Sequence, residues 1–287
     1  MRGLSFRRGS ASDLPHLKKL WKLAFDDDDA FIELFYNRLF DGARVYLAEA
    51  RGALASMVHL LDIGGISHRA ALSPLPCSCV YAFATHPDFR GNRIGSDLLS
   101  FALEAERASG TAAVIVRPAY PELFSYYWQN FGFKPFFTVK ETEYVLPENT
   151  LSPVALFAAD IDEYLAFRKN ILAKTAHLIP SIEVAGFQRE SCKLSGGGFC
   201  FIAIDGVNVG CAMFECEEDG VLFIPELIVP GKHFDSAVSA LLRENGARRA
   251  LVRSPSIDGG KPFAMLKHWG GNSLPGNLTV YMGFALD

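Results

Sequence analysis

Within seven residues, Arg90-Gly91-Asn92-Arg93-Ile94-Gly95-Ser96 brings together two guanidinium groups, two glycines and the opening of an apolar helical pattern. Cys79–Thr85 ahead of it reads as a strand, and Ile94, Leu98, Phe101, Ala102 and Ala105 recur at helical spacing behind it. At a strand-to-helix bend of this kind, small residues let a bulky anion reach the backbone. The first helical amides then offer unpaired N–H groups at the positive end of the helix dipole. Two arginines in the same turn add charge and bidentate donors. The combination suits a diphosphate carrying a phosphoadenosine, with the amides of Arg90, Gly91, Asn92, Arg93, Ile94, Gly95 and Ser96 as the cradle. A nucleoside-triphosphate loop would need a Lys-Ser/Thr pair, and the dinucleotide fingerprint a different glycine spacing with a downstream acid; neither is present. Gly95→Val is expected to block the backbone approach.

The surrounding pattern supplies elements to hold that bend. Asp13 precedes an apolar-periodic run, Leu14, Leu17, Leu20, Trp21 and Ala24, which reads as a capped helix. The acidic cluster Asp26 to Asp29 leads into a second helical stretch with Phe31, Leu34, Phe35 and Leu39. Strands are predicted at Val45–Ala50 and Ala53–Ile63 around an Arg51-Gly52 turn, with a further one through His68 to Leu72. After the helix that ends near Gly110, Ala112–Val116 reads as a short buried strand and Pro121–Phe131 as an aromatic helix stopped by Gly132. Phe133–Phe137 and Thr142–Leu146 read as two closing strands. Leu146 to Pro153 reads as a linker, dividing the chain into residues 1–147 and 154–287. The second half repeats the first at coarse grain, with a helix at 160–172, strands Phe199–Ile204, Val207–Phe214 and Val221–Val229, a helix near 234–244 and a strand Ala250–Arg253. Its bend, Pro230-Gly-Lys-His233, is short and lacks the arginine–glycine run. The expected class is α/β, a mixed sheet flanked by helices with a degenerate second copy.

Composition narrows the partners. The chain has 287 residues, 49% hydrophobic and 21% charged, enough apolar material for a substantial core. A formal charge of −4 and the lack of any basic run argue against nucleic acid as a partner. No window approaches the roughly 18 apolar residues of a membrane helix, and the N-terminus lacks an apolar run of signal-peptide length. A cytoplasmic location, no membrane partner and no metal are expected. The six cysteines never form a C-x-x-C pair, so reduced thiols are the default.

The bend resembles the signature of the GNAT superfamily of N-acetyltransferases, an arginine or glutamine followed by spaced glycines after a strand ending near a proline. Arg90 and Gly95 match the outer positions, Thr85-His86-Pro87 stands where the strand end would be, and Arg93 replaces the middle glycine. The order of elements and the helix end Asn130-Phe131-Gly132-Phe133 are similar too, over roughly residues 1–145. The Asp-rich turn, His59, the second half and the ending Lys261–Lys267 with Tyr281–Asp287 resemble two-half bacterial acetyltransferases. These are similar to the first two domains of the enhanced-intracellular-survival type. The resemblance implies acetyl-coenzyme A as cosubstrate, with the backbone of Phe83, Ala84 and Thr85 beside the pantetheine arm. It also implies Tyr126–Trp128 at the thiol end, and a slot between strands 79–85 and 112–116.

Acetyl transfer to an amine needs a neutral nucleophile, a stabilised oxyanion and a proton for the departing thiolate. The strand Cys79–Thr85 offers no carboxylate, and Trp128 stands where many relatives of the family carry an acidic tyrosine. Tyr127 and Tyr126 are the substitutes, although aromatic packing would equally explain them. His59 is a candidate base, or a satisfied strand histidine. His86, the Asp26–Asp29 cluster, Glu33, Asp287, Arg117 and Arg253 are further candidates, each also explained as a surface, capping or ion-pairing residue. The expected activity is transfer of acetyl from acetyl-coenzyme A to a small-molecule amine. The alternatives are a silent acyl-coenzyme A binder and a tandem aminoacyl transferase that uses charged tRNA.

Overall fold

In a computed structural model, residues 3–67, 73–148, 153–217, 220–256, 260–270 and 280–286 are described. The strand expected at His68 to Leu72 and the chain-terminal Asp287 lie outside them. Strand β1 (Ser5–Arg8) leads to α1 (Leu14–Phe25), which has Pro15 in its first turn, where a missing N–H is no loss. Helix α1 buries Leu17, Leu20 and Trp21 along one stripe, and ends on Asp26 in the left-handed region, φ 59°. Asp28 stands at the N-cap of α2 (Asp29–Leu39), which buries Ile32, Phe35 and Tyr36. There follow β2 (Val45–Ala50), β3 (Ala53–Ser67), β4 (Leu75–Thr85), α3 (Ile94–Ala108), β5 (Ala113–Val116), α4 (Glu122–Phe131) and β6 (Lys134–Val145). The remainder comprises β7 (Val154–Ala158), α5 (Ile161–Ile171), β8 (Ala176–Pro180), α6 (Ile182–Leu194), β9 (Gly198–Ile204), β10 (Val207–Cys216) and β11 (Val221–Ile228). It closes with α7 (Phe234–Glu244), β12 (Arg249–Ser254), β13 (Lys261–His268) and β14 (Val280–Tyr281).

The chain divides into two compact units, residues 1–66, 75–136 and 264–276 in one, and 67–74, 137–263 and 277–287 in the other. In the first, strands run in the order β1-β2-β3-β4-β5-β13. The pairings are antiparallel except β4 with β5, which is parallel over Cys77–Ala113 to Val80–Val116. Residues 264–276, which fall in the later half by sequence, join this unit because Met265–His268 pairs with β5. Leu98, Leu99, Ala102 and Leu103 of α3 pack on Val58, Leu60, Val80 and Val114 to make its core. On the other face α1 and α2 cover β3 and β4.

The second unit repeats this local plan. Its order is β6-β12-β11-β10-β9-β7, with β14 beside β6 and β8. Strand β11 is antiparallel to β10 and parallel to β12, and α7 packs on them through Val238, Leu241 and Leu242. A register shift separates the pairs Met213–Glu226 and Glu215–Phe223, as one separates Met57–Ala84 and His59–Tyr81 in the first unit.

The two strands expected at 133–137 and 142–146 are one, β6. The polar residues between them do not break it, because Glu141 is met by Arg253 and Lys261. Helix α6 and strand β8 were not legible in the sequence. Gln188 and Ser191 are buried inside α6 and blur its apolar period, while β8 is only five residues long.

Candidate active site

Strand β4 carries the site, and its irregularity is what opens it. Residues 82 and 83 together oppose Val58, so the strand bulges there, and Ala82 takes a left-handed conformation, φ 43°. Pairing with β5 stops at Val80–Val116, just before the bulge. Among the described residues no strand pairs with 82–85 on that side. The Ala84 carbonyl accepts from the Ser56 hydroxyl and the Thr85 carbonyl from Arg90, and Phe83 and Thr85 border the cavity at the bend, where an extended ligand could add alongside.

Beyond β4 the chain makes a short turn at Pro87–Phe89 and enters α3. Arg90 Nε donates to the Thr85 carbonyl at 3.0 Å, tying the turn back to the strand. Asn92 braces it from within, its amide donating to the carbonyls of Phe89 at 3.3 Å and Arg90 at 3.1 Å. Gly91 has φ +77° in open space, so conformation alone selects glycine there. Arg93 is the N-cap of α3 at φ 60°, ψ 5°; it replaces the signature's glycine yet keeps the left-handed backbone a glycine would supply. The first intrahelical bond runs from the Asp97 amide to the Arg93 carbonyl, which leaves the amides before Asp97 without helical acceptors. Gly95 is required by close approach, since a Cβ there would stand 2.6 Å from Thr85 Oγ1. Phe83, Thr85, Phe89, Arg90, Gly91, Arg93, Ile94, Gly95, Ser96, Leu123 and Tyr126 line a cavity of about 560 Å³ at this bend. Ala84 is buried beside it, and Ile94 sends its side chain into the core while its amide stays at the helix start. Phe89 and Leu123 were not singled out from the sequence, because nothing marks them apart from ordinary apolar residues.

The aromatic helix separates its tyrosines. Tyr126 turns toward α3, its hydroxyl 3.0 Å from the Ser96 hydroxyl. Tyr127 is only 7% exposed and packs on Phe131 and Phe133; burial raises its pKa, so it keeps its proton. Trp128 is 59% exposed, on the outer side of α4. These three residues therefore do not form one lining at a thiol end.

His59 lies in a closed aromatic cluster, its ring 5.8 Å from Trp21, 5.3 Å from Phe35 and 5.8 Å from Tyr36. It is 1% exposed, and among the described residues neither ring nitrogen has a partner in hydrogen-bonding geometry. Burial pushes its pKa down to about 3, opposed only slightly by the nearby carbonyls of Ala82 and Tyr81. The ring is thus neutral at ordinary pH and shut away from solvent. Tyr36 shares its condition, the hydroxyl buried without a partner among the described residues.

The remaining candidates have structural roles in view. His86 Nδ1 accepts from the Asp88 amide at 3.3 Å, capping the turn. Asp27 accepts from Trp21 Nε1 at 2.7 Å, Asp26 ends α1 and Asp28 opens α2, so the acidic cluster joins two helices. Glu33 pairs with Lys18 at 2.6 Å. Asp13, expected only as a helix cap, also binds Arg7 with both carboxylate oxygens, and that guanidinium holds its pKa well below the usual carboxylate range. Arg253 pairs with Glu141 at 3.1 Å and lies between the rings of Phe223 and Phe263.

A sheet bulged near the end of one strand, which parts there from its parallel neighbour and leads into an anion-ready helix start, is the architecture of the GNAT fold. Residues 5–136 match the family model described as an acetyltransferase (GNAT) domain, a little under half of the chain. No protein of curated function matches the chain in sequence. Among solved structures, a GCN5-related N-acetyltransferase from Anabaena variabilis is similar over 92% of this chain and 72% of its own, with TM-score 0.73 and 12% identity. Eis1 from Mycobacterium abscessus is similar over 92% of this chain and 73% of its own, with TM-score 0.60 and 12% identity. A tandem GNAT protein from the clavulanic acid biosynthesis pathway covers 94% of this chain and 100% of its own, with TM-score 0.57 and 12% identity. At these identities the likeness is one of fold.

Proposed function

We propose that the protein is an acetyl-coenzyme A-dependent N-acetyltransferase, working in the cytoplasm and moving acetyl directly to the amine of a small molecule. The observation that carries this reading is the cavity at the bend, where free amides of residues 93–96, Arg90 and Arg93 meet the unpaired end of β4. Diphosphate would rest at the bend, held by the amides of Gly91 to Ser96, because the Arg90 amide, expected in the cradle, already donates to the Pro87 carbonyl at 3.1 Å. Pantetheine would run along Phe83, Ala84 and Thr85 as an added strand. The thioester would then lie where β4 and β5 part. Amine attack on the thioester carbon forms a C–N bond and an oxyanion, which collapses to expel the thiolate; the amine's proton leaves to solvent.

No carboxylate stands on β4, and His59 is sealed and weakly basic. The acceptor must therefore reach the site as free amine. Tyr127, which burial keeps protonated, is the proposed hydroxyl at the sulfur end. Rate should then rise with pH up to the acceptor's own pKa, with no inflection near 6.5 from His59. Thiol release from acetyl-coenzyme A across a panel of amines tests the activity. Arg90→Ala should weaken coenzyme A binding by on the order of 1–3 kcal/mol.

One observation favours a second reading: Trp128 occupies the position of the family's usual acid and faces outward. Tight coenzyme A binding without turnover over the whole panel would identify a silent acyl-coenzyme A sensor instead.

A further inference from the structure

The cavity at the bend contains a side-chain pair that the transfer chemistry leaves unused. The Tyr126 and Ser96 hydroxyls lie 3.0 Å apart, and both residues line the same cavity as Arg90 and Arg93. Two hydroxyls bonded to each other use one of their two protons, and the other O–H still needs an acceptor. The ring that carries the phenol is held edge-on by Tyr127, at 5.2 Å between centroids, and by Phe131, at 5.5 Å. Its hydroxyl is therefore fixed before any ligand arrives, and little side-chain freedom is lost on binding. The arginines, by contrast, are long and exposed; they supply charge, while the hydroxyl pair supplies direction.

We propose that Tyr126 is a diphosphate-positioning residue, which together with Ser96 presents an oriented hydroxyl donor to the anion at the bend. This rests on the cofactor reading above, and it removes Tyr126 from the acid–base chemistry at the sulfur. Whichever hydroxyl donates within the pair, the O–H left over is the one offered to the anion, and Tyr126 holds the pair in place. A proton donor to the thiolate would have to sit at the far end of the pantetheine arm, whereas this hydroxyl is at the helix start.

Tyr126→Phe keeps the ring and its packing and deletes only the oxygen. Coenzyme A is titrated calorimetrically into the wild type, Tyr126→Phe, Ser96→Ala and the double variant, and the phosphorus-31 resonances of the bound ligand are recorded. The expected result is affinity about three- to tenfold weaker in each single variant. The double loss should be smaller than the product of the two, and the diphosphate resonances should move in Tyr126→Phe while the 3′-phosphate resonance stays put. Unchanged affinity and resonances in Tyr126→Phe overturn the proposal. So do independent, multiplying losses, or a fall in turnover at saturating acetyl-coenzyme A with affinity intact. If the wild type itself does not bind coenzyme A, it is the cofactor reading that fails.

Discussion

Arg93 shows how one residue can serve two purposes that pull against each other. Its φ of 60° is a conformation that costs an L-residue about 1–2 kcal/mol, while the residue brings a positive charge to the lining of the cavity. Arg93→Gly and Arg93→Ala should both lose coenzyme A affinity, because both lose the charge. Chemical denaturation should then find Arg93→Gly more stable than Arg93→Ala by about 1 kcal/mol, since only glycine relieves the strain. Equal stabilities would mean that the left-handed turn is not populated in solution. His59 provides the second prediction at this scale. Its imidazole titrates near 6.5 when unfolded and near 3 when buried, so between those values the unfolded chain binds more protons. Stability should therefore fall as pH drops from about 6.5 toward 3, by on the order of a few kcal/mol. His59→Phe should flatten that part of the curve, leaving the slope from His177, whose pKa burial also lowers, and, at its acid end, the slope from the depressed carboxyls of Asp13 and Glu141. An unchanged acid limb would show that His59 is not sealed.

At the scale of elements, the union of β4 and α3 decides whether a cradle exists. Gly95 touches Thr85, whose hydroxyl pairs with Ser56 at 3.0 Å, and Ser56 in turn donates to the Ala84 carbonyl at 2.7 Å. The steric block expected from a side chain at Gly95 therefore falls first on the protein itself. Gly95→Ala should lower stability by roughly 1–3 kcal/mol through overpacking. Thr85→Ala in the same chain should recover part of that loss, as seen in thermal melts of the four-member cycle. A Gly95→Ala loss that Thr85→Ala leaves untouched would place the clash elsewhere. In the second unit the corresponding connection is only Val229 to His233. It has the bulge and the parallel partner, without the arginine–glycine turn.

At the scale of the whole molecule, the second unit is organised around a buried ion pair. Arg168, 2% exposed, meets Glu226, fully buried, with donor–acceptor distances of 2.9–3.0 Å. Tyr164 donates to the same carboxylate at 2.9 Å, and Arg168 also donates to the carbonyls of Leu178 and Met282. The closing segment is thereby fastened into its unit, with Met282, Phe284 and Leu286 all buried. Removing one member strands a charge in an apolar interior. Arg168→Met should thus destabilise the protein by roughly 3–5 kcal/mol. Hydrogen exchange should quicken in residues 280–286 before it does in α3. Uniform exchange in both would mean that the pair does not secure the segment.

The bend, its two arginines and the strand–helix units were legible in the sequence because each depends on local chemistry. Glycines, a helix start and an apolar period are properties of neighbouring residues. The bulge at residues 82 and 83 was not legible, since a shift in register belongs to two strands and leaves no mark on either alone. For the same reason the tyrosines could be named but not assigned; a step of about 100° round α4 sends Tyr127 into the core and Tyr126 to Ser96. Long-range partners also decided the fate of the charges. Glu141 stays within one continuous strand because Arg253 and Lys261 come to it, and Met265–His268 returns to β5 from the far end of the chain. Sequence alone marked the bend between strand and helix; only packing at a distance decided which tyrosine hydroxyl meets Ser96 there.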